Sequence, residues 1–123
     1  MPSRIEDYAL LGDCETAALV SKAGSIDWLC WPRFDSSACF AALLGNDAHG
    51  CWRIAPVAGE FVQRAYRPGT LILDTEFRSA SGRVRITDFM PFRDEHSHLI
   101  RLVEGLEGEV DMELMLRLRF DMA

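Results

Sequence analysis

Three features of this 123-residue chain predict an all-β fold, an antiparallel β-sandwich with one short helix near residues 36–44. The hydrophobic pattern repeats every two residues and not every 3.6, which is the signature of strands with one buried and one wet face. Turn chemistry recurs about every 8–15 positions, the spacing of a sandwich built from short strands. Only one segment has the composition of a helix.

Taken in order, the first hairpin runs from Thr16 to Ser21, turns at Lys22-Ala23-Gly24 and returns from Ser25 to Cys30. Next comes the helical segment. Asp35-Ser36-Ser37 offers N-caps, Ala38-Cys39-Phe40-Ala41-Ala42-Leu43-Leu44 supplies helix formers, and Gly45 stops it. Single strands follow at Cys51 to Ala55 and at Phe61 to Tyr66, and Pro68-Gly69 then punctuates the chain. A second hairpin pairs Thr70 to Arg78 with Arg83 to Phe89. Its turn is Ser79-Ala80-Ser81-Gly82, where glycine is available for a positive φ. Leu71, Leu73, Thr75 and Phe77 share one face of that hairpin, as do Val84, Ile86 and Asp88. His98 to Glu104 reads as another strand. The longest alternation comes last: Val110, Met112, Leu114, Leu116, Leu118 and Phe120 fall on one face and, Met115 excepted, charged residues on the other, which predicts a long half-buried strand.

The chain is long enough for a core of its own. At 13.9 kDa a fold exposes about 6,700 Å² of the roughly 20,000 Å² available unfolded. A net charge of −6, with no basic cluster, argues against nucleic acid or an anionic membrane as partner. No apolar run approaches the roughly 18 residues of a membrane span. The first residues carry Glu6 and Asp7 where a signal peptide has its apolar stretch, so the expected location is cytoplasmic. Cys14, Cys30, Cys39 and Cys51 lack the close spacing of a zinc site and read as reduced, structural thiols. No metal or cofactor is expected.

Chemistry-bearing residues are sparse. Asp27, Asp35, Asp74, Asp88 and Asp94 could supply the carboxylate pair of a glycosidase, but spacing selects none of them. Asp27 and Asp88 stand beside apolar residues and need partners; turn or loop amides are the expected donors. His96 and His98 share a strand face and could form half of a metal site, although Asp94-Glu95 and Ser97 suit an exposed loop better. No serine occupies a nucleophile elbow, and the single lysine, Lys22, belongs to no phosphate-binding loop. The segment Gly24 to Ser36 stands out. Trp28, Trp31, Arg33, Phe34, Asp27 and Asp35 combine aromatic faces with planar charged groups, the materials of sugar recognition. The plainer reading is a core Trp28, a Trp31-Pro32 corner and an Arg33–Asp35 pair that fixes the loop.

That segment, continued by others, resembles glycoside hydrolase family 15 proteins of bacteria and archaea. The likeness runs through Ile5-Glu6-Asp7-Tyr8-Ala9-Leu10-Leu11-Gly12-Asp13-Cys14-Glu15-Thr16-Ala17-Ala18-Leu19-Val20, Gly24-Ser25-Ile26-Asp27-Trp28-Leu29-Cys30-Trp31-Pro32-Arg33-Phe34-Asp35-Ser36 and Phe40 to Gly45. Tyr66-Arg67-Pro68-Gly69-Thr70-Leu71 and Val84 to Pro91 complete it. The resemblance implies the family's trehalase-like N-terminal domain, a β-sandwich that precedes an (α/α)6 catalytic barrel. The full-length proteins it implies resemble glucoamylases and trehalases, inverting hydrolases of α-glucosidic bonds whose two catalytic glutamates lie on the barrel. Residues 1–123 are then one non-catalytic domain of a longer protein, expected inactive alone, either a truncated product or an excised domain. Its implied partner is the barrel, with Trp31, Arg33, Phe34 and Asp35 on the substrate rim and in reach of an α-glucoside sugar. Where the family often has Ser-Pro after the Phe-Asp pair, this chain has Ser36-Ser37, which loosens the start of the short helix. The alternative is a free-standing carbohydrate-binding or protein-interaction sandwich, favoured if Trp31 and Trp52 are exposed. An uncovered sheet face would also favour self-association.

Overall fold

A computed structural model describes residues 5–14, 16–30, 38–40, 50–92 and 98–118, and these form two antiparallel sheets. A 3-10 turn, Ile5–Asp7, leads into β1 (Tyr8–Gly12), β2 (Ala17–Ser21), β3 (Ser25–Cys30), β4 (Ala38–Phe40) and β5 (Cys51–Pro56). The chain continues through β6 (Gly59–Tyr66), β7 (Leu73–Ser79), β8 (Gly82–Phe89), β9 (Ile100–Gly108) and β10 (Met112–Arg117). The six-stranded sheet follows the order β1-β2-β3-β5-β10, with β4 also on β3; the four-stranded sheet is the meander β6-β7-β8-β9.

Between the layers lie two touching cores. Leu11, Ala18, Val20, Ile26, Leu29 and Phe40 meet Leu73 and Met90 in one, and Ile54 meets Phe77, Val84 and Ile86 in the other. Trp52 packs against both. The period-two reading of the β7–β8 hairpin holds, since Leu73, Thr75, Phe77, Val84, Ile86 and Asp88 all point inward and are buried. Leu71 lies before β7 begins and is exposed. The outward face of this sheet is a charged ladder, with Arg83 on Glu76 and Glu107, Arg85 on Glu104, and Arg67 on Asp74. Exposed pairs of this kind add about 0–1 kcal/mol each and keep the face wet.

Gly24 and Gly82 are both required by geometry. Gly24 adopts φ +81° in the β2–β3 turn, and a Cβ there would sit 2.3 Å from the Ile54 carbonyl oxygen. Gly82 does not use the positive φ expected of it. What it needs is the missing side chain, because a Cβ would lie 2.1 Å from the Glu107 carbonyl oxygen across the β8–β9 ladder.

The two lateral sides of the sandwich differ. On the side of β1 and β6, the Tyr66 hydroxyl accepts from the Leu10 amide and donates to its carbonyl, both at 2.8 Å. Arg64 donates to the carbonyls of Asp7 (2.7 Å) and Val20 (3.2 Å), so side chains of one sheet satisfy free backbone groups of the other. Edge strands closed this way cannot recruit another strand. No such closure is present along β10 among the described residues.

Two sequence expectations need correction here. Within the 36–44 helix, residues 38–40 are strand β4, paired as Leu29↔Phe40 and Cys30↔Ala38; residues 36, 37 and 41–44 lie outside the described residues. Helix-forming composition loses because β5 pairs with β3 only at Ser25 and Ile26. The rest of β3 therefore needs another ladder partner, and pairing there carries Phe40 into the core. The second correction concerns β10. The alternation is right, but Leu114 (63% exposed), Leu116 (49%) and Leu118 (49%) are not buried. β10 is the outermost strand of the wider sheet; its Met112 still packs against the second core, and the residues further along it are left open. A further strand, β1, was not anticipated as an element.

Candidate functional site

The segment that carries Trp31, Arg33, Phe34 and Asp35 lies outside the described residues, but the residues that anchor its start do not. Cys30, to which Trp31 is joined, ends β3 at the same end of the sheet as Gly12 and Ala17. Its carbonyl accepts from the fully buried Thr16 hydroxyl, and the Thr16 amide donates to Asp13 Oδ1 at 2.9 Å. This short-range clasp follows from Asp13 and Thr16 being three residues apart, a natural side-chain-capped turn. Cys14 between them takes φ +74°, and its thiol is exposed.

A cleft of about 510 Å³ opens at this end, where the β1–β2 turn meets the β6–β7 loop and the stretch after β8. Gly12, Leu71, Phe89, Met90, Pro91 and Phe92 form much of its wall. The β6–β7 loop is held by a turn in which the Thr70 amide and hydroxyl both donate to the Arg67 carbonyl, with Gly69 at φ +72°. Pro68-Gly69 was the punctuation that predicted it. Among the described residues the walls are mainly apolar and carry no carboxylate, which suits contact better than acid–base chemistry.

Of the candidate aspartates, Asp27, Asp74 and Asp88 are described, and each is engaged within the domain. Asp27 is buried and accepts from the Tyr8 hydroxyl and the Ser25 hydroxyl. Asp88, 1% exposed, accepts from Arg101 Nε at 2.7 Å, and the Arg101 side chain is itself fully buried. Arg101 also donates to the Trp52 carbonyl (2.7 Å) and the Gly24 carbonyl (2.8 Å), and stacks over the Trp52 ring at 5.3 Å. One guanidinium therefore ties β8 and β9 to the opposite sheet. Burial pushes the Asp88 carboxyl above its ordinary range, with the Arg101 charge pulling the other way. Asp74 sits on the outer face, where a hydrogen bond from Arg67, helped by the Thr87 hydroxyl, holds its carboxyl below the usual range. The expected amide donors to Asp27 and Asp88 give way to side-chain hydroxyls and a guanidinium. Neither residue is left free to act as a general acid or base.

The remaining candidates separate cleanly. Asp35, Asp94 and His96 lie outside the described residues, as does the Cys39 side chain. His98 is exposed. Cys30 and Cys51 are buried free thiols, and burial raises the Cys30 pKa. Among the described residues no group of three or more histidine, cysteine or acidic side chains could hold a metal, and no helix is long and apolar enough to cross a membrane. Trp52 is half-buried between the cores, not an exposed sugar platform. Arg101 was missed. Its signal was an arginine inside the apolar run Leu99-Ile100-Arg101-Leu102-Val103, when Asp88 already needed a partner.

Comparison with known proteins places the chain in a family. The profile of the trehalase-like N-terminal domain family matches residues 1–123. The chain belongs to this family. It is 35% identical to a trehalase of Mycolicibacterium smegmatis and 42% identical to a trehalase of Mycobacterium tuberculosis, in each case over 95% of this chain and 20% of the relative. A trehalase of Thermoplasma volcanium is 30% identical over 96% of this chain and again 20% of its own length. The trehalase-like domain thus spans about a fifth of the curated relatives it matches. No solved structure gives a significant match.

Proposed function

We propose that this trehalase-like domain is a non-catalytic supporting module of a family 15 glycoside hydrolase, working in the cytoplasm. It packs on an (α/α)6 barrel that hydrolyses α-glucosidic bonds and helps to shape the barrel's substrate entrance. The observation that carries the reading is the match confined to 20% of each trehalase, which leaves most of those proteins' residues outside this domain. Support comes from Asp27 and Asp88, the buried carboxylates the sequence offered, which are both engaged internally and not free for the two-carboxylate chemistry of a glycosidase. The catalytic glutamates then belong to the barrel, and Trp31, Arg33, Phe34 and Asp35 belong to the rim that an α-glucoside passes.

The test is glucose release from trehalose and maltotriose. The 123-residue chain is assayed alone and then grafted in place of the matched fifth of the M. smegmatis trehalase. Activity only in the graft is expected; release by the chain alone overturns the proposal. In the active graft, Arg33→Ala with Asp35→Ala should raise KM or lower kcat. Unchanged KM and kcat in a folded protein would sink the rim role.

A further inference from the structure

We infer that the β9–β10 side of the sandwich is the surface on which the rest of the longer polypeptide docks, through an apolar patch made by Val103, Leu114, Leu116 and Leu118. The inference rests on the supporting-module reading above and assigns that module its contact face. Register makes the argument. Leu114 pairs with Ile54 and Leu116 with Trp52, so both lie on the sheet face that carries core residues. Val103 pairs with Ile86 and lies on the core-bearing face of the other sheet, yet it is 48% exposed. Beyond the buried Arg101 of β9 and the partly buried Met112 of β10, the inward-facing Val103, Leu114 and Leu116 are therefore apolar and open.

Two other surfaces argue against themselves. Tyr66 and Arg64 close the β1–β6 side by satisfying backbone groups of the opposite sheet. The outer face of the four-stranded sheet is the charged ladder, which would have to be desolvated on docking. An open apolar edge strand is a standing hazard for aggregation, and folded proteins keep such an edge only where something covers it.

The occupant follows from length and order. The trehalase relatives match over only 20% of their length, and the matched domain is the N-terminal one, so the other four-fifths of those chains follow the strand equivalent to β10. A surface joined directly to that strand meets the patch at high effective concentration. A second copy has no such tether, and each copy carries a net charge of −6.

Hydrogen exchange of the chain alone, compared with the M. smegmatis graft, tests the assignment. Amides of residues 100–118 should gain about tenfold protection or more in the graft, with residues 8–12 and 59–66 unchanged. Protection gained at 8–12 and 59–66 instead overturns the surface but leaves the supporting module standing. No gain anywhere in an active graft overturns the docking itself. Should the graft not fold, the chain alone still decides. Leu114→Glu with Leu116→Glu should move its Tm by no more than about 2–4 °C, as for surface positions. It should also weaken binding to the separately expressed remainder of the M. smegmatis trehalase at least about tenfold, while the exposed Val57→Glu leaves binding unchanged. A Tm fall above about 10 °C means the patch is already covered within the chain and refutes the proposal. Equal binding by both variants also refutes it, as does a chain dimer through β10 with no gain on grafting, which assigns the edge to a second copy.

Discussion

Replacing Arg101 with methionine, which keeps most of the side-chain volume, asks how much one buried guanidinium holds between the sheets. The substitution leaves the Asp88 carboxylate buried without its charged partner and removes the donor to the carbonyls of Trp52 and Gly24. Breaking one side of a buried ion pair costs about 3–5 kcal/mol. An unfolding entropy of about 2.1 cal/mol/K per residue corresponds to about 4 °C of Tm per kcal/mol for a chain of 123 residues, so Tm should fall by about 12–20 °C. Thermal unfolding by circular dichroism and urea titration by tryptophan fluorescence read the loss. The double variant Asp88→Leu/Arg101→Met removes both charges and should recover most of it, leaving about 1–3 kcal/mol for the two carbonyls. The pH dependence has a definite sign. Burial already raises the Asp88 pKa, and without Arg101 it rises further. Between the ordinary value near 3.8 and that raised value, the unfolded chain has released the proton and the folded chain keeps it. Stability of Arg101→Met should therefore recover as pH falls through that window. A single variant that loses less than about 1 kcal/mol, or a double variant as unstable as the sum of the singles, would refute the latch.

Three other perturbations have clear directions. For Asp74→Asn, the folded-state pKa of the wild-type carboxyl lies below 3.8, so its contribution is present above that value and is lost as pH falls through the folded pKa. The urea-midpoint gap between wild type and variant should then be full near pH 7 and close in acid; a gap constant with pH would contradict the Arg67 bond. Gly24→Ala forces a Cβ against the Ile54 carbonyl at a positive φ and should cost at least about 2 kcal/mol by urea unfolding. Tyr66→Phe removes both bonds to Leu10 and should cost about 1 kcal/mol while speeding exchange of the Leu10 amide; an unchanged exchange rate would mean that water replaces the hydroxyl fully.

Local chemistry was legible in the sequence; long-range pairing was not. Period-two alternation identifies a strand because successive side chains of an extended backbone point to opposite faces whatever lies around them. The turns at Lys22-Ala23-Gly24, Pro68-Gly69 and Ser79-Ala80-Ser81-Gly82 are likewise properties of a few adjacent residues. Asp88 announced its need for a partner, because a carboxylate among apolar residues is costly anywhere. The cleft walls could not be read, since they come from three stretches centred near residues 12, 70 and 90 that only folding brings together.

What the tertiary structure alone decided is which faces are covered and which groups meet. Apart from Met115, β10 alternates as β8 does, yet Ile86 is buried and Leu116 half exposed, because β8 is interior to its sheet and β10 is the outermost strand of the other. Ala38 to Phe40 became a strand because β3 had ladder positions that β5 did not fill. Asp88 found Arg101 because antiparallel pairing of β8 with β9 set them opposite each other. Periodicity says that a face is apolar; only the arrangement of layers says what, if anything, lies over it.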